Sequence, residues 1–139
     1  MRRVSLIFIR NKERFLCYLR DNKQTIPHPN YWAFIGGGNE KGETPLQALK
    51  REISEELKSR RKGEIVTDIR YLDVIKVRKN PEVYDHDIYT YKGRTNHRLE
   101  ELTLTEGQRL GYFTFDEIMN EKFPEFLKIY IKKNLSRLD

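Results

Sequence analysis

Residues 37–58 read GGNEKGETPLQALKREISEELK, and both the fold and the candidate site depend on this stretch. It begins with a glycine-rich turn, reaches a helix start at Thr44-Pro45 and ends in a glutamate-rich segment. Thr44 is a suitable N-cap, Pro45 suits the first helical position, and Gln47 completes a capping box. The stretch therefore predicts a tight turn followed by a capped helix.

The predicted helix separates apolar side chains from acidic ones. At about 100° per residue, one apolar stripe faces the core. Its members are Leu46, Leu49, Ile53 and Leu57. Glu52 and Glu56 flank this stripe and Glu55 lies further round, so all three fall within roughly 100° of arc. Such carboxylates can converge on a metal ion, and oxygen ligands suit Mg²⁺ or Mn²⁺ rather than zinc.

A solvated glutamate face is the structural alternative for this helix. A stabilising face would place Lys or Arg four residues after each Glu, but Glu52 is followed at that distance by Glu56. This like-charge pair costs a few tenths of a kcal/mol. The one pair of opposite charges at this spacing, Arg51 with Glu55, has the cation before the anion in sequence, which is the less favourable order. The pattern favours a metal site over a stabilising surface.

The spacing also resembles the Nudix box of the Nudix (MutT-type) hydrolases. The family pattern is Gly, five residues, Glu, seven residues, then Arg-Glu, an apolar residue, any residue and Glu-Glu. The matching residues are Gly37, Glu43, Arg51, Glu52, Ile53, Glu55 and Glu56. At the end of the box, Lys58 and Ser59 replace the family's glycine and apolar residue. Because that glycine normally ends the helix, we expect the helix to run on to Gly63.

The flanks of the box support the same resemblance. The segment 31–38, YWAFIGGG, is similar to the family's Trp-x-x-Pro-Gly-Gly, with Ile35 at the usual proline. The resemblance implies that the Gly36 carbonyl is a metal ligand. The segment 105–113, TEGQRLGYF, resembles the family's late acidic loop, which supplies a fourth acidic group. Glu106 is the candidate for that group, with Glu100 and Glu101 as alternatives.

The resemblance implies a Mg²⁺-dependent hydrolase, with Mn²⁺ as a substitute, that attacks the diphosphate of a nucleoside diphosphate linked to a group X. It assigns Glu52, Glu55 and Glu56 to the metals, and Arg51 to holding a carboxylate in place. Either Glu52 or Glu106 is the general base. Further implied residues are Glu43 as support for the site, Gly37 and Gly38 beside the phosphates, and Tyr31, Tyr84 and Tyr112 as candidates for stacking.

The rest of the chain predicts strands on both sides of the box. Expected strands are 4–10, 15–20, one or two within 65–77 with a break at Asn80-Pro81, 87–91 and 109–114. Thr114 and Glu117 predict a short capped helix. An amphipathic helix is expected over 123–135, with Phe126, Leu127, Tyr130, Ile131 and Leu135 inward. This order predicts an α/β fold, an α/β/α sandwich with a mixed sheet as in the Nudix family, in a single domain over 1–139.

Composition limits the remaining possibilities. The 139 residues are 37% hydrophobic, without an apolar run of the ~20 residues that cross a bilayer, so we expect a cytoplasmic monomer or homodimer. The single cysteine, Cys17, suits a reducing compartment and a buried strand position. The three scattered histidines have no metal-ligand spacing, and surface or packing roles are expected for them. Trp32 is a candidate either for stacking on a base or for the core.

The net charge of +6 leaves a second substrate class open. A basic protein attracts nucleotides, but it also attracts RNA, so an RNA 5′-end pyrophosphohydrolase is the alternative enzyme. An inactive Nudix-fold binding module is a further alternative, against which the intact glutamates argue. The basic run Lys58, Arg60, Arg61 and Lys62 fits the end of the extended helix better than a nucleic-acid contact.

Overall fold

The computed structural model describes residues 2–78 and 85–139, and its centre is a mixed β-sheet. Seven strands form this sheet: β1 (Arg2–Asn11), β2 (Arg14–Leu19), β3 (Trp32–Ala33), β4 (Ile35–Gly38), β6 (Thr67–Val77), β7 (His86–Arg94) and β9 (Arg109–Phe113). A separate antiparallel pair consists of β5 (Leu57–Ser59) and β8 (Leu102–Leu104). The helices are α1 (Pro45–Glu56), α2 (Phe115–Asn120) and α3 (Glu125–Asn134).

Strand β1 organises the sheet. It pairs in parallel with β7 along its length and antiparallel with β4 at its start and β2 at its end. Its side chains alternate between two cores, as the period of two in a strand requires. Ile7 and Ile9 face a core that includes Leu49 of α1, whereas Phe8 faces a core with Ile131 of α3. Helices therefore cover both faces, which confirms the predicted α/β/α sandwich with a mixed sheet.

Several local predictions are confirmed. Both capping boxes form, with Thr44 and Gln47 at α1 and Thr114 and Glu117 at α2. Cys17 is fully buried in β2. The predicted strands agree with the observed ones to within a few residues, and the predicted region 65–77 contains one strand, β6 (Thr67–Val77). The predicted break at Asn80-Pro81 and the stacking candidate Tyr84 lie outside the described residues.

The expected extension of the box helix to Gly63 is wrong. Helix α1 ends at Glu56, and residue 57 turns into the extended conformation of β5. The cause is long-range: β5 pairs with β8, and the Thr105 amide donates to the Glu56 carbonyl at 2.9 Å. Carbonyls of the last helical turn are thus satisfied by a distant strand rather than by a C-cap glycine. No helix in the described parts of the chain is long and apolar enough to span a bilayer.

Asp73 of β6 ties the sheet to the C-terminal segment. Its Oδ1 accepts hydrogen bonds from the Tyr130 hydroxyl at 2.7 Å and the Thr90 hydroxyl at 2.9 Å. Its Oδ2 accepts from the Arg137 guanidinium at 2.8 Å. Burial alone would raise the pKa of Asp73, but these donors outweigh burial and lower the pKa. The network therefore holds α3 and the chain end on the sheet through an ionised carboxylate.

We predict that Asp73→Asn destabilises the protein in a pH-dependent way. A carboxyl whose pKa is lower in the folded state stabilises the fold above its unfolded pKa, and this contribution is lost as the pH falls through the folded value. At pH 7 we expect a fall in melting temperature of roughly 3–8 °C, the effect of about one charged hydrogen bond. Below pH 4 the difference from the unmutated protein should narrow.

The matched control is Asp68→Asn on the same strand. Asp68 forms only an exposed ion pair with Arg70 at 3.7 Å, so its replacement should change the melting temperature little. A loss at Asp73→Asn of the same size at pH 3 and pH 7 would show that side-chain shape, not charge, holds the C-terminal segment.

Candidate active site

Arg51 is the central cation of the candidate site. Its Nε and Nη2 donate to Oε2 and Oε1 of Glu43 at 2.8 and 3.0 Å, a bidentate pair. The two side chains are only 23% and 18% exposed, so water competes little for these bonds. Hydrogen bonding to Glu43 raises the pKa of Arg51, and the same bond lowers the pKa of Glu43. Both groups are therefore ionised at every physiological pH.

The same guanidinium connects the glycine turn to helix α1. Arg51 Nη2 donates to the Gly38 carbonyl at 3.1 Å, while Glu43 also accepts from the Glu40 amide at 2.7 Å. On the helix, Nη1 donates to Glu52 at 3.0 Å and to Glu55 at 3.2 Å. Arg51 thus orients two of the three box glutamates relative to the turn.

Gly37 leaves the space that the Glu52 carboxylate occupies. A Cβ built on Gly37 would lie 2.5 Å from the carboxyl carbon of Glu52 and 2.6 and 2.8 Å from its two oxygens. No side chain can be accommodated there unless Glu52 moves. The box therefore needs glycine at this position because the Glu52 carboxylate packs closely against β4. The φ angle of Gly37 is not positive, so the requirement comes from space and not from backbone conformation.

The loop between β8 and β9 brings a fourth glutamate to the end of α1. The Thr105 amide donates to the Glu56 backbone carbonyl at 2.9 Å, which places the next residue, Glu106, beside the end of α1. Gly107 turns the loop at φ +102°, where a Cβ would lie 2.9 Å from the Leu19 carbonyl oxygen. The negative charge of Glu106 thereby acts on both Glu52 and Glu56.

The carboxylates leave negative charge uncompensated. Burial raises the pKa of Glu52 and of Glu56, and the charges of neighbouring glutamates raise both further. Arg51 opposes the rise at Glu52, but in the described residues no Lys or Arg forms an ion pair with Glu56 or Glu106. Carboxylates that repel one another in this way are stabilised by a bound cation.

The donor set fits a hard divalent cation, although the ligands are not yet gathered around one point. Across residues 2–78 and 85–139, no three His, Cys, Asp or Glu side chains already form a metal-binding group. Arg51 holds oxygens of Glu52 and Glu55, whereas Glu56 and Glu106 have no Lys or Arg partner among the described residues. All the available donors are oxygens, which suits Mg²⁺ or Mn²⁺.

The two alternative acidic residues lie elsewhere. The Glu101 carboxylate accepts from the Arg98 amide at 2.8 Å and lies 3.6 Å from Arg61. The Glu100 carbonyl accepts from Arg60 at 2.8 Å. Of the three late glutamates, Glu106 is the one whose charge acts on the box carboxylates.

The proposed substrate-contact residues differ in their surroundings. Gly36 lies in β4 next to Gly37 and pairs with Leu6, so its backbone is beside the glutamates. Tyr31 is half-buried and contacts other side chains: the Lys122 ammonium is 4.6 Å from its ring centre. The Tyr112 hydroxyl donates to the His97 carbonyl at 2.7 Å, and its ring packs in the α1-side core. Among the described contacts, none joins Tyr112 to the box carboxylates, and its role in stacking stays a prediction.

The sequence analysis did not identify Tyr18 and Arg20 as site residues. Tyr18 is half-buried, and burial raises the pKa of its hydroxyl, with further increases from the charges of Glu56 and Glu52. Arg20 donates to the Tyr18 hydroxyl at 3.3 Å and to the Pro27 carbonyl at 3.0 Å. Their spacing of two residues at the end of β2 and their phenolic and basic side chains were visible signals, but their approach to α1 depends on sheet pairing.

Comparison with known families agrees with this geometry. The family model of the NUDIX domain matches residues 1–133. The chain belongs to this family. Membership confirms the resemblance that the box indicated.

Curated Nudix relatives match over part of their length. The nucleoside triphosphatase NudI of Salmonella typhi is 36% identical over 74 residues, which cover 53% of this chain and 51% of the relative. NudI of Salmonella newport matches to the same extent. The chain spans about half the length of the curated relatives it matches.

Solved Nudix structures match almost the whole chain. A MutT protein from Methanosarcina mazei Go1 superposes with a TM-score of 0.75 at 16% identity, covering 98% of this chain and 94% of that one. A MutT NUDIX hydrolase from Burkholderia pseudomallei gives a TM-score of 0.71 at 20% identity, covering 94% and 95%. At these identities the likeness shows the fold.

We predict that Gly37→Ala weakens Mn²⁺ binding because the new methyl group displaces the Glu52 carboxylate. We expect the affinity for Mn²⁺ to fall by about tenfold or more, as it does when a residue that orients a metal ligand is changed. Calorimetric titration of Mn²⁺ into metal-free protein measures this. Gly38→Ala is the matched control, since its Cβ would meet only the flexible Arg2 side chain, at 3.4 Å. Equal affinities for the two variants would contradict the packing role of Gly37.

Proposed function

We propose that the protein is a divalent-metal-dependent hydrolase that cleaves the diphosphate linkage of a nucleoside diphosphate joined to a group X. A free nucleoside triphosphate is the simplest such substrate. The observation that carries the proposal is that the charges of Glu52, Glu56 and Glu106 act on one another at the end of α1, where among the described residues only Glu52 has a cationic partner, Arg51. The NudI relatives, described as nucleoside triphosphatases, support this choice.

Glu52, Glu55, Glu56 and the carbonyl of Gly36 are the proposed metal ligands. Mg²⁺ is the expected ion, with Mn²⁺ as a substitute, because all these donors are oxygens. A bound divalent ion would supply charge neutralisation at phosphate oxygens and acidify a water molecule. Little covalent chemistry is then required of the side chains, so positioning and electrostatics provide most of the rate enhancement.

The remaining side chains have separable proposed roles. Arg51 is a positioning residue that orients Glu52 and Glu55, and Glu43 in turn orients Arg51. Either Glu52 or Glu106 accepts the proton of the attacking water; the pH–rate profiles of Glu52→Gln and Glu106→Gln distinguish the two. The backbone at Gly37 and Gly38 allows close approach of the phosphates.

The first test of this function is dependence on metal. We expect hydrolysis of one or more compounds in a nucleotide panel to disappear in chelator and to return with Mg²⁺ or Mn²⁺. Released phosphate and pyrophosphate are measured, and the panel includes nucleoside triphosphates, nucleoside diphosphate derivatives and 5′-triphosphorylated RNA. Activity that survives thorough chelation would exclude the metal assignment. Turnover of the RNA alone would shift the substrate class to RNA 5′ ends.

The second test separates function from folding at Glu56. Glu56→Gln keeps the shape of the side chain but removes one ligand charge and its repulsion of Glu52 and Glu106. We predict a fall in turnover of several orders of magnitude. Because the pKa of Glu56 is raised in the fold, its ionised form is unfavourable there at pH 7. The melting temperature in chelator should therefore be unchanged or slightly higher.

Glu100→Gln is the matched control for this test. Glu100 is exposed and has its charge away from the box glutamates, so both turnover and melting temperature should stay close to the unmutated values. An active Glu56→Gln protein that unfolds at a much lower temperature would mean that the glutamate cluster is structural.

A further inference from the structure

Two adjoining cavities form one groove on the flank of α1 that faces away from the glutamates. One cavity, of about 710 Å³, lies between α1 and the start of the edge strand β6. The other, of about 510 Å³, continues from it toward the β1–β2 turn. They share four lining residues: Arg61, Glu64, Ile65 and Thr67. We call this continuous groove the basic trough.

The trough is separate from the candidate active site. Lys50 and Ser54 of α1 line it, whereas Glu52 and Glu56 do not. At about 100° per residue, Lys50 lies about 160° round the helix from Glu52. The trough and the glutamates therefore occupy opposite flanks of the same helix.

Unpaired cations dominate the lining. Five lining cations lack a carboxylate partner among the described residues: Lys12, Lys50, Lys58, Lys62 and Arg94. Two further cations are paired, Arg10 with Asp139 at 3.0 Å and Arg61 with Glu101 at 3.6 Å. The lining acids are Glu64 and Asp68, and Asp68 already pairs with Arg70. Much of the chain's net charge of +6 is thus concentrated in one concave surface.

Because α1 ends at Glu56, the dipole at its C-terminus does not explain most of these cations. Lys58 does bond to a helix carbonyl, that of Ser54, as expected for a cation at a helix end. Because the helix stops at Glu56, however, Arg61 and Lys62 lie beyond β5 and cannot complement its dipole. Lys12 and Arg94 come from distant parts of the sequence, and the fold brings them to the same groove.

We propose that the basic trough binds the phosphate backbone of single-stranded nucleic acid. An extended row of cations without carboxylate partners neutralises successive phosphates of a nucleic acid. A second copy of this positively charged protein would instead be repelled. The groove floor is aliphatic, with Ile53, Ile65 and Ile69, no described Phe, Tyr or Trp lines it, and the ring of His97 is buried. Binding therefore depends on phosphate contacts rather than on base stacking, and it is independent of sequence and strongly dependent on salt.

The test measures the salt dependence of binding, with chelator present so that the hydrolytic activity plays no part. Fluorescence anisotropy of a labelled 12-nucleotide oligouridylate gives the affinity at several salt concentrations. The trough variant combines Lys12→Asn, Lys62→Gln and Arg94→Gln; asparagine is chosen because residue 12 has φ +57°. The control variant, Lys23→Gln, Lys132→Gln and Lys133→Gln, loses the same charge at exposed positions outside the trough.

We expect the trough variant to lower the slope of log K against log salt by about 2, from roughly 0.7 for each lost phosphate contact. Its affinity at low salt should fall at least tenfold, with an unchanged melting temperature, while the control retains most of its affinity. Equal losses in both variants, or no binding by the unmutated protein, would overturn the proposal. So would displacement of the oligonucleotide by a polyglutamate peptide at equal charge concentration, since that would identify an acidic protein segment as the occupant.

Discussion

The guanidinium of Arg51 connects the two halves of the box, and the arrangement of the candidate site depends on it. One edge is bonded twice to Glu43 in the turn before α1, and the rest reaches Gly38, Glu52 and Glu55. A lysine could not replace it, because one ammonium group cannot make this planar set of bonds. The distance between turn and helix is therefore set by a single, mostly shielded cation.

The charge balance around Arg51 favours the proposed binding of a divalent metal ion. Arg51 is shared by Glu43, Glu52 and Glu55, so a single positive charge faces three carboxylates. The hydrogen bond from the Thr105 amide to the Glu56 carbonyl keeps Glu106 near Glu56 in spite of their like charges. The fold thus brings carboxylates together at some cost in stability, and a bound cation would offset that cost.

Local signals in the sequence predicted the parts of the molecule that depend on local interactions. The capping boxes, the glutamates of α1 and most strands follow from residues within one or two turns of each other. The end of α1 was predicted wrongly because β5 pairs with β8, more than forty residues later. Tyr18 and Arg20 were overlooked for the same reason, since only the sheet brings β2 to the helix. Tyr112 has the aromatic ring expected of a stacking residue, but the sequence did not predict that its hydroxyl donates to the His97 carbonyl.

The basic trough is a second feature that sequence patterns did not predict, because it also depends on contacts between distant segments. Its cations come from the end of β1 and the β1–β2 turn, from α1, from β5 and the segment after it, and from the end of β7, so they span residues 10–94 of the sequence. One helix thereby presents a negative centre on one flank and a positive groove on the other. Charges of opposite sign on opposite flanks of α1 allow a small metal ion and a polyanion to bind without competing.

The central claim is that the glutamates at the end of α1 form an incomplete site that a divalent cation completes. Its most direct test is the melting temperature of metal-free protein during titration with Mn²⁺, followed in parallel by the electron paramagnetic resonance signal of the free ion. We predict saturable binding and a rise in melting temperature with the logarithm of the Mn²⁺ concentration, as ligand linkage requires. A melting temperature that stays constant up to millimolar Mn²⁺, with all of the ion remaining free, would contradict the account.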